Sequence, residues 1–324
     1  MKEAAQHSLC LLCGKTILDT PHTMSWHVSC CRSFFGTSIL PIIDITTTNF
    51  SNSARISITE GNTVTGVQKK MSVHLEDTMP RKRLTVQGFP SGYILKPPVD
   101  EFPDLPELEH VVMSLADALG IKTVPHALIQ LHSGEFAYIT RRIDRGFPQQ
   151  KHSEKIHMED FCQLSQRLSE DKYKGSLEQC GKLILTHSSQ AGLDAADFFF
   201  RALFSFVTGN ADMHLKNFSL FLSPTGWMLA PAYDLVPTKL VLPADKEESA
   251  LHINGKKNHL TRPDFYALAR NLKLSDKAID NFFTRTQSIP THFTHLPAVK
   301  LLPPQRQKEL ANLIQERTAL LTEG

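Results

Sequence analysis

The chain has 324 residues, of which 41% are hydrophobic, 8% aromatic and 21% charged, a composition typical of a folded globular protein large enough for two cores. It excludes collagen, coiled coils and wholesale disorder. Lysine and arginine total 35 against 33 acidic residues, so the formal net charge is +2 and no strong field predicts direct binding to nucleic acid or a membrane surface. No apolar run reaches the roughly 18 residues of a spanning helix and the N-terminus lacks signal-peptide features, so we expect a cytoplasmic protein.

The chain starts with a cysteine-rich segment, residues 1–36, that holds four of the six cysteines. A Cys-x-x-Cys pair is followed, thirteen residues later, by His-x-x-Cys, which is the ligand set and spacing of a small structural zinc site. The candidate ligands are Cys10, Cys13, His27 and Cys30, with Cys31 or His22 as substitutes. The alternative is that these are reduced thiols acting as small apolar side chains.

Residues 37–143 are predicted to form a β-rich lobe. Polar residues dominate 37–55, which predicts an irregular connector. Alternating apolar residues and turn signals then predict five strands around one helix, which Gly120 ends. The predicted elements are strands at Met71–Leu75, Arg83–Gln87 and Tyr93–Lys96, a helix at Leu108–Leu119, and strands at Val124–Gln130 and Glu135–Ile143.

Residues 144–324 are predicted to be mainly helical. Apolar residues at helical spacing mark several helices, and two short apolar runs around Ser223–Gly226 predict a small hairpin. The helices are predicted at Glu159–Leu168, Ser176–Thr186, Ala195–Thr208 and Pro304–Leu321, and the hairpin strands at Phe218–Leu222 and Trp227–Leu229. A β-rich lobe followed by a helical lobe with a hairpin predicts an α+β, bilobal, protein-kinase-like fold.

The segment Gly209–Asn217 carries the strongest catalytic signal. Asn217 follows Asp212 by five residues after a predicted buried helix, the spacing at which protein kinases hold a catalytic aspartate and a metal-binding asparagine. Asp234 comes just after the hairpin, where a kinase places its second metal ligand. The alternative is that Asp212 and Asn217 only cap turns.

A phosphate-binding loop and a buried lysine would complete such a site. The loop Gly61–Lys70 offers glycines, hydroxyls and two lysines for contact with a triphosphate, although it is neither a Walker A sequence nor a Gly-x-Gly-x-x-Gly repeat. Lys96 ends an apolar strand, and Glu109 on the next helix is the candidate to orient it. A solvated edge lysine and a helix-terminal glutamate are the alternative.

Short motifs follow one another along the chain: TVTGVQKK from Thr63, YILKP from Tyr93, LEHVVMSLADALG from Leu108, RIDR from Arg142, EDF from Glu159, GNADMHLKN from Gly209 and APAYD from Ala230. In this order they resemble the HipA-like toxin kinases, and within that family the short form called HipT. The resemblance covers Thr63 to Asp234 and extends more weakly to the end of the chain.

The resemblance implies a serine/threonine protein kinase that uses ATP and Mg²⁺, with Asp212 as catalytic base and Asn217 and Asp234 as magnesium ligands. It implies that Asp144 reaches the ribose, that His214 lies near the phosphates, and that the strand Arg141–Ile143 offers backbone groups to adenine. The full set of expected nucleotide-binding residues is Lys96, Arg141, Ile143, Asp144, His214, Gly66 and Lys70.

Family members phosphorylate a serine of their own glycine-rich loop, which ejects the loop and blocks nucleotide binding. Thr63 occupies that position here, with Thr65 two residues on, and both keep the hydroxyl group that the chemistry needs. We therefore expect self-phosphorylation at Thr63 or Thr65. A phosphate among the lysines of this loop would reorder it or switch the enzyme off.

The resemblance also implies partners. HipT forms lack an extra N-terminal subdomain that full-length HipA carries, and we expect the same here, with a HipS-like small antitoxin and a HipB-like DNA-binding protein. The expected substrate is a class I aminoacyl-tRNA synthetase, tryptophanyl by analogy with HipT, whose phosphorylation would inhibit translation. Two alternatives stay open: a catalytically weak scaffold for a HipB-type repressor, and a small-molecule kinase.

Overall fold

The computed structural model describes residues 8–18, 25–44, 70–78, 81–85, 92–145 and 155–322. The chain divides into two compact units. The first, here called the sheet unit, comprises Met1–Val111, Val124–Glu154 and Leu296–Pro303. The second, the helical unit, comprises Val112–Thr123, Lys155–His295 and Pro304–Gly324.

The sheet unit is built on a six-stranded sheet in the order β1-β3-β2-β4-β6-β5. Its strands are β1 (Ile42–Asp44), β2 (Met71–Glu76), β3 (Arg83–Thr85), β4 (Tyr93–Lys96), β5 (His126–Gln130) and β6 (Phe136–Arg141). All neighbours are antiparallel except β1 and β3. The five strands expected from the sequence are present; β2 buries alternate side chains, whereas β5 and β6 are buried at four consecutive positions.

Strand β1 was not predicted. It lies within the stretch expected to be an irregular connector and pairs in parallel with β3, with Ile43 opposite Leu84. A strand of three residues is too short to show alternation, so its pairing partner rather than its own sequence creates it.

Helix α1 (Val28–Phe35) belongs to the sheet unit, and the boundary between the two units falls within helix α2 (Leu105–Ala118), after Val111. Helix α2 confirms the predicted apolar helix, and the chain leaves it through Gly120 at a φ of 78°. This left-handed conformation suits glycine, which has no Cβ to clash with the backbone.

The helical unit contains eight helices among its described residues: α3 (Phe161–Leu164), α4 (Leu177–His187), α5 (Ala191–Val207), α6 (Thr238–Val241), α7 (Arg262–Asn271), α8 (Asp276–Gln287), α9 (Ile289–His295) and α10 (Pro304–Thr322). Strands β8 (Ser219–Ser223) and β9 (Gly226–Leu229) confirm the predicted hairpin, and β7 (Met158–Asp160) pairs with β8 as a third strand.

The helix predicted at Glu159–Leu168 is wrong in extent. Its first residues belong to β7, where Glu159 lies opposite Leu220, and the helix that follows has only four residues. Asp160 ends the strand and caps that helix by accepting a hydrogen bond from the Gln163 backbone N–H at 2.9 Å. The sequence around β7 does not reveal this strand, because its partner β8 lies about sixty residues further along the chain.

Helix α5 is the core of the helical unit. Phe198, Phe199 and Phe204 are fully buried on it, and every residue from Phe198 to Val207 is buried. The buried Arg201 donates from Nη1 to the carbonyl oxygen of Ala230 at 2.7 Å and from Nη2 to Asp197 at 2.5 Å, while its Nε has no hydrogen-bond partner among the described residues. Two of the three guanidinium nitrogens inside this apolar helix thus have partners, and one of these bonds holds the chain just after the hairpin.

Among the described residues, no helix combines the length and the apolar character needed to cross a membrane.

Asp264 predicts a pH-dependent contribution to stability. Burial alone would raise the pKa of Asp264, but hydrogen bonds from Asn254, Lys256 and Thr261 lower it to about 2. A depressed pKa means stability that is present above the unfolded value of about 3.9 and is lost as pH falls toward 2, worth roughly 2 kcal/mol at neutral pH. We expect Asp264→Asn to lower the free energy of unfolding by about that amount near pH 7, as measured by urea titration.

The matched control is Asp280→Asn, since Asp280 is 62% exposed and lies 4.0 Å from its partner Arg262. Its cost should stay below about 0.5 kcal/mol. The difference between the two variants should shrink as pH is lowered below about 4. A difference that does not change with pH would show that the carboxylate charge of Asp264 is not the stabilising element.

Candidate active site

The segment Gly209–Asn217 leaves the C-terminal end of α5 as a loop held by the backbone. Gly209 has a φ of 70°, and a Cβ at this position would lie 2.6 Å from Cδ2 of Leu313, so no other residue fits without rearrangement. The Thr238 hydroxyl accepts a hydrogen bond from the Ala211 N–H at 2.8 Å and donates to the Gly209 carbonyl at 3.3 Å. These bonds place Asp212 in a defined position.

Asp212 is the central carboxylate of the helical unit. Burial raises its pKa to about 7; the Tyr173 hydroxyl, which donates to Oδ1 at 2.9 Å, opposes that rise, and the negative charge of Asp234 adds to it. A carboxylate with a pKa close to neutral can accept a proton from a hydroxyl group and later release it. Asp212 is therefore a candidate general base.

Asn217 and Asp234 are the candidate magnesium ligands, since both carry a side-chain oxygen. The side-chain nitrogen of Asn217 donates to the Asp212 carbonyl at 3.0 Å, so Oδ1 is the atom that a metal ion would bind. Asp234 has a φ of 63°, an uncommon conformation for a residue with a Cβ, and its carbonyl accepts from the Asn210 side chain at 3.4 Å. The negative charge of Asp234 helps to raise the pKa of Asp212, and a divalent cation between them would favour the ionised form of both carboxylates.

His214 lies on the same loop and is 3% exposed. Within the described part of the chain, neither ring nitrogen has a hydrogen-bond partner, and the ring packs edge-on against Tyr173 at 5.2 Å. Burial, followed by the positive charge of Lys172, lowers the pKa of His214 to about 4, so the ring is neutral near pH 7. A buried imidazole with an unused N–H can donate to an anionic oxygen.

Tyr173 was missed by sequence reasoning. It lies 39 residues before Asp212, between Lys172 and Lys174 in a polar segment with no apolar period. The structure brings its hydroxyl to Asp212 and its ring to His214. No local motif marks such a contact, because it depends on how α4 and α5 lie in the folded unit.

In the sheet unit, the structure brings Lys96 and Glu109 together. The Lys96 ammonium donates to Oε1 of Glu109 at 2.7 Å, and the two side chains are 10% and 0% exposed. The ammonium also lies 5.4 Å from the centre of the Tyr138 ring. Such a pair holds the lysine as a cation in one orientation, as contact with a phosphate would require.

The residues expected to meet the nucleoside follow strand β6. The N–H groups of Arg141 and Arg142 already donate to the carbonyls of Pro125 and Gly92, both at 2.9 Å. The groups that remain for the expected adenine contact are therefore the backbone of Ile143 and the carbonyl groups of this segment. Arg142 donates to the Asp144 carboxylate from Nε at 2.9 Å and from Nη2 at 2.7 Å, and Arg145 donates to it as well. Burial would raise the pKa of Asp144, but these two arginines hold that pKa below its usual range. Asp144 is thus ionised and able to accept from a ribose hydroxyl.

Part of the expected loop cannot be placed. Thr63, Thr65 and Gly66 lie outside the described residues. Lys70, at the end of that loop, is exposed immediately before β2. These positions stay predictions.

The predicted cysteine cluster also comes together in the sheet unit. Cys10, Cys13, His27 and Cys30 each offer a ligand atom, and these atoms all lie within 4.8 Å of one another. The other two cysteines, Cys162 and Cys180, are core residues of the helical unit, with exposures of 1% and 0%.

Comparison with known proteins decides the family. A sequence model described as the HipA-like C-terminal domain matches residues 62–293, more than half of the chain. The chain belongs to this family. The match includes the candidate residues Asp212, Asn217 and Asp234, and the resemblance seen in the motifs is confirmed at the level of the family.

The relatives of this HipA-like chain include proteins named as kinases. It is 34% identical over 203 residues to Y4mE of Sinorhizobium fredii, whose name gives kinase as an inferred function; the alignment covers 61% of this chain and 47% of the relative. It is 26% identical over 231 residues to the serine/threonine-protein kinase toxin HipA of Shewanella oneidensis; this alignment covers 66% of this chain and 52% of the relative. The chain thus spans about half the length of the curated relatives it matches.

The fold is that of HipA. Shewanella oneidensis HipA, solved in complex with HipB and operator DNA, superimposes with a TM-score of 0.72 at 21% identity, covering 86% of this chain and 71% of that one. The predicted α+β, kinase-like, HipA-like fold with a β-rich and a mainly helical unit is therefore confirmed.

Lys96 and Glu109 predict a large stability effect. We expect Lys96→Met to lower the free energy of unfolding by roughly 3 kcal/mol, because it leaves the Glu109 carboxylate buried without its cation. The double variant Lys96→Met/Glu109→Leu should recover most of that loss, since no buried charge remains. Both effects are measured by urea unfolding of the unmodified protein, the single variants Lys96→Met and Glu109→Leu, and the double variant.

The control is Lys82→Met, which removes a surface pair with Asp77 at 3.9 Å and should cost less than about 1 kcal/mol. If Lys96→Met cost no more than Lys82→Met, the Lys96–Glu109 pair would not be the buried interaction described above.

Proposed function

We propose that this HipA-like chain is an ATP-dependent serine/threonine protein kinase. The observation that supports it most is the arrangement in the helical unit, where Asp212 has a pKa near neutrality beside the oxygen ligands Asn217 and Asp234. Kinases divide these roles in the same way, because one carboxylate must receive the substrate proton while others hold the metal on the phosphates.

In this mechanism the substrate hydroxyl oxygen forms a bond to the γ-phosphorus of ATP, the bond to the bridging oxygen breaks, and ADP leaves with that electron pair. Asp212 receives the hydroxyl proton at the oxygen not held by Tyr173. Mg²⁺, bound by Asn217 Oδ1 and Asp234, would supply positive charge to the phosphates. Tyr173 keeps the Asp212 carboxylate ionised and oriented.

The remaining residues bind the nucleotide. Lys96, oriented by Glu109, pairs with phosphate oxygens as a cation. His214, neutral and buried, donates one ring N–H to a phosphate oxygen. Ile143 contacts adenine through its backbone, and Asp144 accepts from the ribose.

We further propose that the chain is a toxin. The relative from Shewanella oneidensis is named a kinase toxin, and its structure contains HipB and operator DNA, which supports a HipB-like partner here. The resemblance to HipT supports a HipS-like antitoxin and a class I aminoacyl-tRNA synthetase, tryptophanyl first, as substrate. Thr63 and Thr65 are the proposed sites of self-phosphorylation.

The first test is Asp212→Asn. We expect it to lower the rate of phosphate transfer at least about a hundredfold and to abolish toxicity on expression, because the amide accepts no proton. The measurement uses labelled ATP, Mg²⁺ and a bacterial lysate, followed by gel separation and mass identification of each labelled protein. In the unmodified protein, label on the chain itself should map to Thr63 or Thr65.

Asp280→Asn, on the surface of α8, serves as the control and should keep full activity. Equal labelling by Asp212→Asn and the unmodified protein would show that another residue is the base. No label on any protein, despite measurable ATP binding, would instead favour the scaffold or the small-molecule kinase.

The second test concerns the role of Tyr173. The hydrogen bond from the Tyr173 hydroxyl lowers the pKa of Asp212, so Tyr173→Phe should raise that pKa further above about 7. Because the base must be ionised, the rate rises with pH through this pKa, and the acidic limb of the pH–rate profile should shift upward by about half a unit or more. The profile is measured as kcat/KM with a peptide or synthetase substrate.

Tyr266→Phe is the matched control, since the Tyr266 hydroxyl contacts the exposed Asp276 at 3.4 Å. Its profile should coincide with that of the unmodified protein. A uniform fall in rate at all pH values for Tyr173→Phe would indicate a purely structural role for this residue.

A further inference from the structure

The cysteine cluster has the dimensions of a tetrahedral metal site. Around zinc, with Zn–S of about 2.3 Å and Zn–N of about 2.0 Å, neighbouring ligand atoms lie roughly 3.5 to 3.8 Å apart. Here Nδ1 of His27 lies 3.4 Å from Sγ of Cys13 and 3.8 Å from Sγ of Cys30, and the fourth atom, Sγ of Cys10, lies within 4.8 Å of the others. Since no pair of these atoms is more than 4.8 Å apart, small side-chain movements would bring all four into contact with one ion.

Hydrogen bonds prepare His27 for this role. Nε2 of His27 lies 3.2 Å from the carbonyl oxygen of Thr16, which can only accept, so Nε2 carries the proton. Nδ1 therefore presents its lone pair to the sulfur atoms. A backbone carbonyl that fixes the tautomer of a ligating histidine is the usual outer partner of a zinc site.

The turn that carries the first two cysteines is equally well ordered. The Gly14 N–H donates to the Cys10 carbonyl at 2.8 Å, and the Cys10 N–H donates to the Lys15 carbonyl at 2.9 Å. The His27 N–H points to Sγ of Cys10 at 3.4 Å, a contact that stabilises a thiolate. Three sulfurs and one imidazole at tetrahedral spacing select zinc over oxygen-seeking metals.

We propose that Cys10, Cys13, His27 and Cys30 bind one structural zinc ion that fastens residues 8–18 and 25–35 to the six-stranded sheet. Cys31 is excluded from the ligand set: it is 2% exposed, lies next to Cys30 in sequence, and does not join the four ligand atoms. A cluster of merely apolar thiols would not require a polar imidazole at its centre.

The surroundings indicate what the ion stabilises. Trp26, Phe34 and Phe35 pack together, and Phe34 and Phe35 contact Tyr93 on β4 at 5.8 and 5.6 Å between ring centres. The Leu11 carbonyl accepts from Leu128 on β5 at 2.9 Å. Because Tyr93 lies on the strand that ends in Lys96, the zinc site would hold the same sheet that positions this lysine.

The test is metal analysis of the purified full chain. We expect one zinc ion per chain by mass spectrometry, and its replacement by Co²⁺ should give the thiolate-to-cobalt absorption of a tetrahedral site with three sulfurs. Cys13→Ser and Cys30→Ser should each lose at least about tenfold in zinc affinity, whereas Cys31→Ser should bind zinc as the unmodified protein does.

Two further measurements test the proposal if the cysteine-to-serine variants fail to fold. His27→Cys should retain zinc as a four-cysteine site, and His27→Ala should not. A strong chelator added to the unmodified protein should release the ion and lower the midpoint of thermal unfolding. Absence of stoichiometric zinc after reconstitution under reducing conditions, a disulfide between these cysteines, or equal zinc loss in Cys31→Ser would overturn the proposal. Phosphate transfer is not needed for any of these readouts, so they stand apart from the kinase assignment.

Discussion

Burial of helix α5 is the constraint on which the candidate active site depends. Its phenylalanine side chains fill the core of the helical unit, so the helix can neither rotate nor slide without opening cavities. Both ends then become fixed points. At the N-terminal end Asp194 accepts from the Leu229 N–H at 2.7 Å and fixes the hairpin. At the C-terminal end the chain turns at Gly209 into the loop that carries Asp212, and Arg201 holds Ala230, four residues before Asp234.

The two units treat charge in opposite ways. In the sheet unit the buried cation and anion, Lys96 and Glu109, satisfy each other at 2.7 Å. In the helical unit Asp212 lies near Asp234, and both burial and that second negative charge disfavour its ionised form. The first arrangement stabilises a fixed lysine, while the second stores unfavourable electrostatic energy that a cation would relieve. For this reason we propose that the helical unit binds a metal ion with its phosphates, and that in the sheet unit Glu109 orients Lys96.

Much of the site was predictable because its residues lie close together in sequence. Asp212 and Asn217 are five residues apart on one loop, and the amide of Asn217 bonds the Asp212 carbonyl, so the motif and the contact coincide. The cysteine cluster was predictable in the same way, since its ligands fall in two short pairs. Tyr173 was not predictable: its contact with Asp212 spans 39 residues and no periodicity marks it. Strands β1 and β7 escaped prediction for a similar reason, since each is three residues long and exists through pairing with a distant strand.

The sequence by itself determined the longer strands and helices, the kinase-like spacing of Asp212, Asn217 and Asp234, the family, and the candidate zinc ligands, because periodicity and motif spacing are local properties of the chain. Only the tertiary structure decided the pairing of Lys96 with Glu109, the contact of Tyr173 with Asp212, and the choice of Cys30 over Cys31. It also decided that Asp212 has a pKa near neutrality. These properties depend on burial and on distances between segments far apart in the chain, and desolvation acts on a side chain only after folding has removed the surrounding water.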